Sequence, residues 1–238
     1  MPEGYFTREN LDRYLRELAK EFRRLNGTKM PAEIVLAGGA SILINYGFRG
    51  MTYDMDAIIQ ASSCMKDAIN HVGDRMKLPT GWLNTDFTRT TSYSPKLVQY
   101  SKYYKTFSNV LKVRTISAEY LIAMKLMAGR EYKNDLSDVI GILMEQEKKQ
   151  EPISLEMIKR AARQLYDGYE KIPEASRTFV EAAYCEQNFS RLYEECRKQE
   201  LENKDILLDF QEEFPGVLKD DNLDSVLAAA RAKKAGFS

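Results

Sequence analysis

The chain has 238 residues, 44% of them apolar and 29% charged, with 35 basic and 35 acidic side chains for a formal net charge of zero. That length can bury the core of one domain with a second appended, and the balanced charge excludes broad nonspecific nucleic-acid binding while leaving room for a local basic patch. Residues 1–24 lack the apolar stretch of a signal peptide, no run reaches the length of a membrane span, and the three cysteines, Cys64, Cys185 and Cys196, lack metal-ligand spacing; together these predict a cytoplasmic protein with reduced thiols.

Residues 7–24 read as an amphipathic helix, with Thr7 as N-cap, Asn10 at the third position and Leu11, Tyr14, Leu15, Leu18 and Phe22 on one stripe. Asn26 and Gly27 mark its end. A buried strand follows in Ile34, Val35, Leu36 and Ala37, then the turn Gly38, Gly39, Ala40, Ser41, then a short helix, then a second strand over residues 53–59 that opens with Asp54 and Asp56. Side chains alternate along a strand, so these two carboxylates share a face about 7 Å apart. They repel each other unless a cation sits between them, and Mg2+ suits the position because it takes carboxylate oxygens and leaves sites for substrate phosphates. Gly38 and Gly39 let the backbone approach a phosphate, the helix start offers free N–H groups, and Ser41 adds a hydroxyl. Each signal alone has a structural reading, a tight turn or a helix cap. Their order in one strand, helix, strand unit favours chemistry.

Residues 65–76 continue as a helix on which His71 reads as a surface residue, and Pro79, Thr80 and Gly81 break it. A third strand is expected over 82–87; its Asp86 reads equally as a turn cap beside Thr85 and Thr88. The stretch 88–105 mixes hydroxyls, rings and the cations Arg89, Lys96, Lys102 and Lys105, the composition of a solvated loop or of a groove for a nucleotide or an RNA end. A fourth strand over 110–116 runs through Ser117 into an apolar helix over 118–130, where Lys125 is the odd residue: a buried lysine needs an anion, unless it snorkels at the helix edge. Asp135 and Asp138 then share a face in the first turn of a helix starting near Asn134, where capping alone would account for them. Beyond a charged hinge at 147–152 the chain reads as helices over 154–167, 174–187, 189–203 and 222–234, with an acid-rich face at 194–213 and a basic end at 231–234. The expected division is residues 1–146 and 152–238.

The turn Gly38-Gly39 followed by Asp54-Met55-Asp56 resembles the signature of the DNA-polymerase-beta-like nucleotidyltransferase superfamily. Arg49 and Thr52 before the acids, the run over 121–130 and the later Asp135-Leu136-Ser137-Asp138 resemble the AbiEii-type toxin nucleotidyltransferases, a likeness covering roughly residues 30–145. Fourteen residues separate Gly39 from Asp54, at the long end of that family's spacing. The resemblance implies an α/β fold with a small mixed sheet, flanking helices and a helical C-terminal region. It implies two Mg2+ ions, with Mn2+ as the alternative, held by Asp54, Asp56 and a third acid, Asp86, which doubles as base for the incoming hydroxyl. Nucleotide contacts fall to Gly38, Gly39, Ser41, Arg49, Thr52 and Lys125, with Asp135 and, less directly, Asp138 supporting the site. The implied reaction moves a nucleoside monophosphate from a nucleoside triphosphate to an acceptor hydroxyl, on RNA or a tRNA end, with an antitoxin protein as partner; an antibiotic or protein hydroxyl is an alternative acceptor. The contrasting expectation is a non-catalytic member that keeps the fold as a binding or regulatory partner.

Overall fold

In the computed structural model, which describes residues 5–28, 30–219 and 222–236, five strands form one mixed sheet in the order β3-β2-β1-β5-β4. The sheet comprises β1 (Ala32–Leu36), β2 (Met55–Gln60), β3 (Leu83–Asn84), β4 (Ser101–Phe107) and β5 (Leu111–Ile116). β1 runs antiparallel to β2 and parallel to β5, β2 is parallel to β3, and β4 is antiparallel to β5. The helices are α1 (Arg8–Asn26), α2 (Gly38–Asn45), α3 (Cys64–Met76), α4 (Ala118–Ala128), α5 (Asp135–Lys148), α6 (Leu155–Tyr166), α7 (Glu174–Glu186), α8 (Phe189–Glu213) and α9 (Leu223–Gly236). The fold class is thus α/β, a small mixed sheet with flanking helices and a helical C-terminal region. Among the described residues no helix is long and apolar enough to cross a membrane.

The alternation along β1 and β2 separates two cores. Ile34, Leu36, Met55 and Ala57 pack with Leu15, Leu18 and Phe22 of α1 and Ala68 and Val72 of α3. Val35, Ala37 and Ile58 turn the other way, toward Leu121, Ile122, Ile140 and Leu143 of α4 and α5. This second cluster continues through Ile158, Leu165 and Val180, on both sides of the expected hinge. The capping box of α1 is present as expected, with Thr7 N–H donating to Asn10 Oδ1 at 2.8 Å.

Three expectations of element placement are corrected. The third strand is only Leu83–Asn84, because the chain bends at Thr85 into a 3-10 helix (Asp86–Arg89). The stretch expected as a loop contains β4, an edge strand of which only Ser101 and Phe107 are buried, so it carries no apolar alternation to read. α8 runs ten residues beyond its expected end. At the basic end, Arg231 joins an ion pair with Glu131 at 2.6 Å, while the side chains of Lys233 and Lys234 lie outside the described residues.

Candidate functional site

The carboxyl ends of β1 and β5 and the amino end of β2 meet at one edge of the sheet, the place where open α/β sheets bind ligands. Ala37 N–H donates to the Asp56 carbonyl at 2.8 Å, which sets the glycine turn directly beside the second acid. A cavity of about 460 Å³ opens there, lined by Gly38, Gly39, Arg49, Thr52, Asp54 and Asp56 on the sheet side and by Lys125, Arg130, Lys133, Asp135 and Lys204 on the helical side.

The glycines are required at this edge. Gly38 has φ +50, in the left-handed region, and a Cβ there would stand 3.1 Å from Asp56 Oδ2. A Cβ on Gly39 would overlap Thr52 Oγ1 and come within 3.0 Å of Arg49 Nη2. The space beside Asp56 is therefore kept free of side chain. Thr52 is itself fastened by backbone hydrogen bonds to Phe6, at 2.7 and 2.9 Å, which fixes the approach to β2.

Asp54 is exposed just before β2 and Asp56 is its second residue, both facing the cavity while Met55 and Ala57 are fully buried behind them. Neither acid joins an ion pair among the described residues. Burial, and next the negative charge of Asp54, push the Asp56 carboxyl up to about 6, against the pull of Lys125, Arg130 and Lys133. A carboxylate so placed gains from a cation. Among the described residues no third histidine, cysteine or acid completes a metal-binding group. Two oxygen-donating acids with open space between strand and glycine turn suit Mg2+, which completes its octahedron with water and substrate phosphates.

The helical wall is built from compensated charge. Lys125, 6% exposed, reaches Asp135 at 2.8 Å and Asp138 at 2.9 Å. Arg130 donates to Asp135 at 2.7 and 3.2 Å, and Arg49 to Asp138 at 2.6 Å. Burial alone would raise the Asp135 carboxyl; the charge of Lys125 and the hydrogen bonds from Arg130 outweigh it and hold it below the usual carboxylate range. Burial pulls Lys125 down, and Asp135 and Asp138 more than reverse this, so it stays protonated. The anion that a buried lysine requires is thus supplied by α5.

Of the residues singled out in the sequence, Gly38, Gly39, Arg49, Thr52, Asp54, Asp56, Lys125 and Asp135 line the one cavity, with Asp138 just behind. Two do not. Ser41 is fully buried and accepts from Ile116 N–H at 3.2 Å, tying α2 to β5 instead of meeting a phosphate. Asp86 is exposed, its N–H donates to Asn84 Oδ1 at 2.9 Å, and it lines a separate cavity against α3. The direction of β3 explains this: it runs parallel to β2 with Asn84 as the register partner of Asp56, so the chain beyond Asn84 leads away from the edge where Asp54 and Asp56 sit. Sequence reasoning missed Arg130, Lys133 and Lys204. Arg130 stood inside a recognised run, but Lys204 is one of many charges on a long helix and nothing local distinguishes it.

A mixed α/β sheet with paired acids on a strand mouth beside a glycine turn has the parts of a nucleotidyltransferase. The family of nucleotidyltransferases of unknown function termed DUF6036 matches residues 13–186, and the chain belongs to that family. No curated protein and no solved structure matches it.

Proposed function

We propose that the protein is a metal-dependent nucleotidyltransferase that moves a nucleoside monophosphate from a nucleoside triphosphate to an acceptor hydroxyl. The observation that carries this reading is the pair Asp54 and Asp56, without an ion-pair partner among the described residues, at the edge that Gly38 keeps open. Both acids would hold Mg2+, two ions in all, with Mn2+ as a substitute; the bound metal supplies Lewis-acid stabilisation of charge on the attacking and leaving oxygens. Gly38 and Gly39 admit the phosphate chain to the start of α2, where backbone N–H groups face it. Arg49 and Thr52 back that wall; the cluster of Lys125, Asp135, Asp138 and Arg130 ties α4 to α5, and Arg49 ties Asp138 of α5 to the connection before β2. The acceptor oxygen joins the α-phosphorus as the bond to the β-phosphate breaks, releasing pyrophosphate. Asp86 and Ser41 have no part in this reading.

The likeness of Arg49, Thr52, the run over 121–130 and Asp135-Leu136-Ser137-Asp138 to AbiEii-type toxins supports an RNA or tRNA acceptor, a toxic outcome and an antitoxin partner as further parts of the proposal. Titration calorimetry of each nucleoside triphosphate with Mg2+, and again with EDTA, tests the core of it. Metal-dependent binding should vanish in Asp54→Asn, Asp56→Asn, and transfer to total RNA should fall by about a thousandfold or more. Turnover retained in that double variant overturns the reading. Growth arrest on expression, relieved by Asp54→Ala, tests the toxin role.

A further inference from the structure

Five cations line the cavity, and they fall into two groups. Arg49, Lys125 and Arg130 are committed to Asp138 and Asp135 at 2.6 to 2.9 Å. Lys133 and Lys204 have no carboxylate at ion-pair distance among the described residues, and both are exposed residues of the cavity lining. They come from different elements, the α4–α5 connection and α8, and α8 lies beyond the residues the family shares.

The backbone under these lysines is tightly held. Along one face of α8, Arg197 donates to Asn134 Oδ1 at 2.6 Å, Glu200 accepts from Ser137 N–H at 3.0 Å and Ser137 Oγ at 2.6 Å, and Asn203 donates to the Glu131 carbonyl at 2.7 Å. Glu200 and Asn203 are buried. Arg231 of α9 closes the arrangement by donating to Asn203 Oδ1 and Glu131 Oε2, each at 2.6 Å. α8 therefore fixes the segment that carries Lys133, and its next residue after Asn203 is Lys204 itself. Two uncommitted charges on a braced wall lose little backbone freedom when an anion binds between them.

We infer that Lys133 and Lys204 form a phosphate-binding subsite at the cavity mouth, and that α8 is a working wall of the site. The ligand is a phosphate chain, either the triphosphate of the nucleotide or the phosphodiester backbone of an acceptor strand. Lysine suits this place because it meets phosphate as a mobile point charge. The inference rests on reading the cavity as a nucleotide site, but its test does not need catalysis.

The experiment measures binding of inorganic tripolyphosphate and of a short single-stranded oligoribonucleotide, both in EDTA, to the natural chain, to Lys133→Ala, Lys204→Ala, and to Lys204→Arg. The double alanine variant should bind at least one probe about tenfold more weakly, with Lys204→Arg retaining affinity and added salt erasing the difference. Loss confined to tripolyphosphate assigns the lysines to the nucleotide; loss confined to the oligonucleotide assigns them to the acceptor. Asp54→Asn, Asp56→Asn should bind both probes as well or better without metal, because it removes negative charge, so a failed catalytic reading leaves this result legible. An unchanged melting temperature confirms that the lysine variants fold. Equal binding by the double alanine variant, or no binding of either probe by the natural chain, overturns the inference.

Discussion

The two faces of the sheet solve the same problem differently. On the α1–α3 face, the buried Glu21 is surrounded by Arg24, His71 and Arg75 at 2.6 to 3.3 Å. The Arg24 hydrogen bond first, then those of His71 and Arg75, overcome burial and lower its carboxyl to about 2. All three partners reach solvent. On the α4–α5 face the buried acids are again neutralised, yet Asp54 and Asp56, which line the same cavity as Asp135, join no ion pair among the described residues. Buried charge therefore does not by itself mark a functional place. Charge left uncompensated beside a cavity does, since folding alone would have selected a partner for it.

The comparison is broken most strongly at Asp135. Asp135→Ala leaves the buried Lys125 with Asp138 alone and takes away the carboxylate that Arg130 meets, and should cost about 3 kcal/mol in urea unfolding, whereas a loss below about 1 kcal/mol would show the cluster to be no more than surface pairing. Glu200 comes next. Burial, against the hydrogen bonds from Ser137, raises its carboxyl to about 7 from an ordinary 4.5. A raised folded value means that its contribution is whole below pH 4.5 and is lost as pH rises through about 7, a decline of about 2–3 kcal/mol. Glu200→Gln does not titrate and should flatten that part of the pH–stability curve; an unchanged slope would remove Glu200 as its source.

A smaller effect, opposite in sign, is expected at the acid pair of Asp54 and Asp56. Asp56 is raised to about 6 from 3.8, so its unfavourable ionisation in the folded state grows as pH climbs between those values. Asp56→Asn should raise stability near neutral pH in EDTA by about 1–2 kcal/mol, reduced by the open cavity, and should make no difference near pH 4. Saturating Mg2+ should stabilise the natural chain and not this variant. The smallest change is on the other face. Glu21→Gln leaves its cations able to reach water and should cost about 1 kcal/mol or less, with function untouched; a loss equal to that of Asp135→Ala would erase the distinction between the faces.

The glycine turn, the placing of Asp54 and Asp56 together at one strand mouth, and the need of Lys125 for an anion were all legible in the chain, because each follows from near neighbours, although β2 begins at Met55, two residues after the expected start, and leaves Asp54 just outside it. Apolar pattern likewise sufficed to place α1, β1, β2, α3 and the helices from α4 onward, the end of α8 excepted, because each buries one face or more. Local pattern failed at β4, whose edge position buries only its two ends, and at Asp86, where a two-residue β3 was read as a longer strand. It also failed at Ser41, whose place in the helix turned its hydroxyl toward β5.

What the sequence by itself determined is the chemistry on offer: two acids in register, a backbone free of side chain beside them, and a lysine that cannot stand alone. Tertiary structure decided which groups that chemistry would have at hand. Asp138 and Arg49 are 89 residues apart, and Ser137 and Glu200 are 63 apart. No propensity or period couples residues at such distances; only the packing of α8 on α5, and of α5 on the segment that carries Arg49, brings Arg49 and Lys204 to one cavity, because contacts between elements depend on the closed fold and not on the order of residues along it.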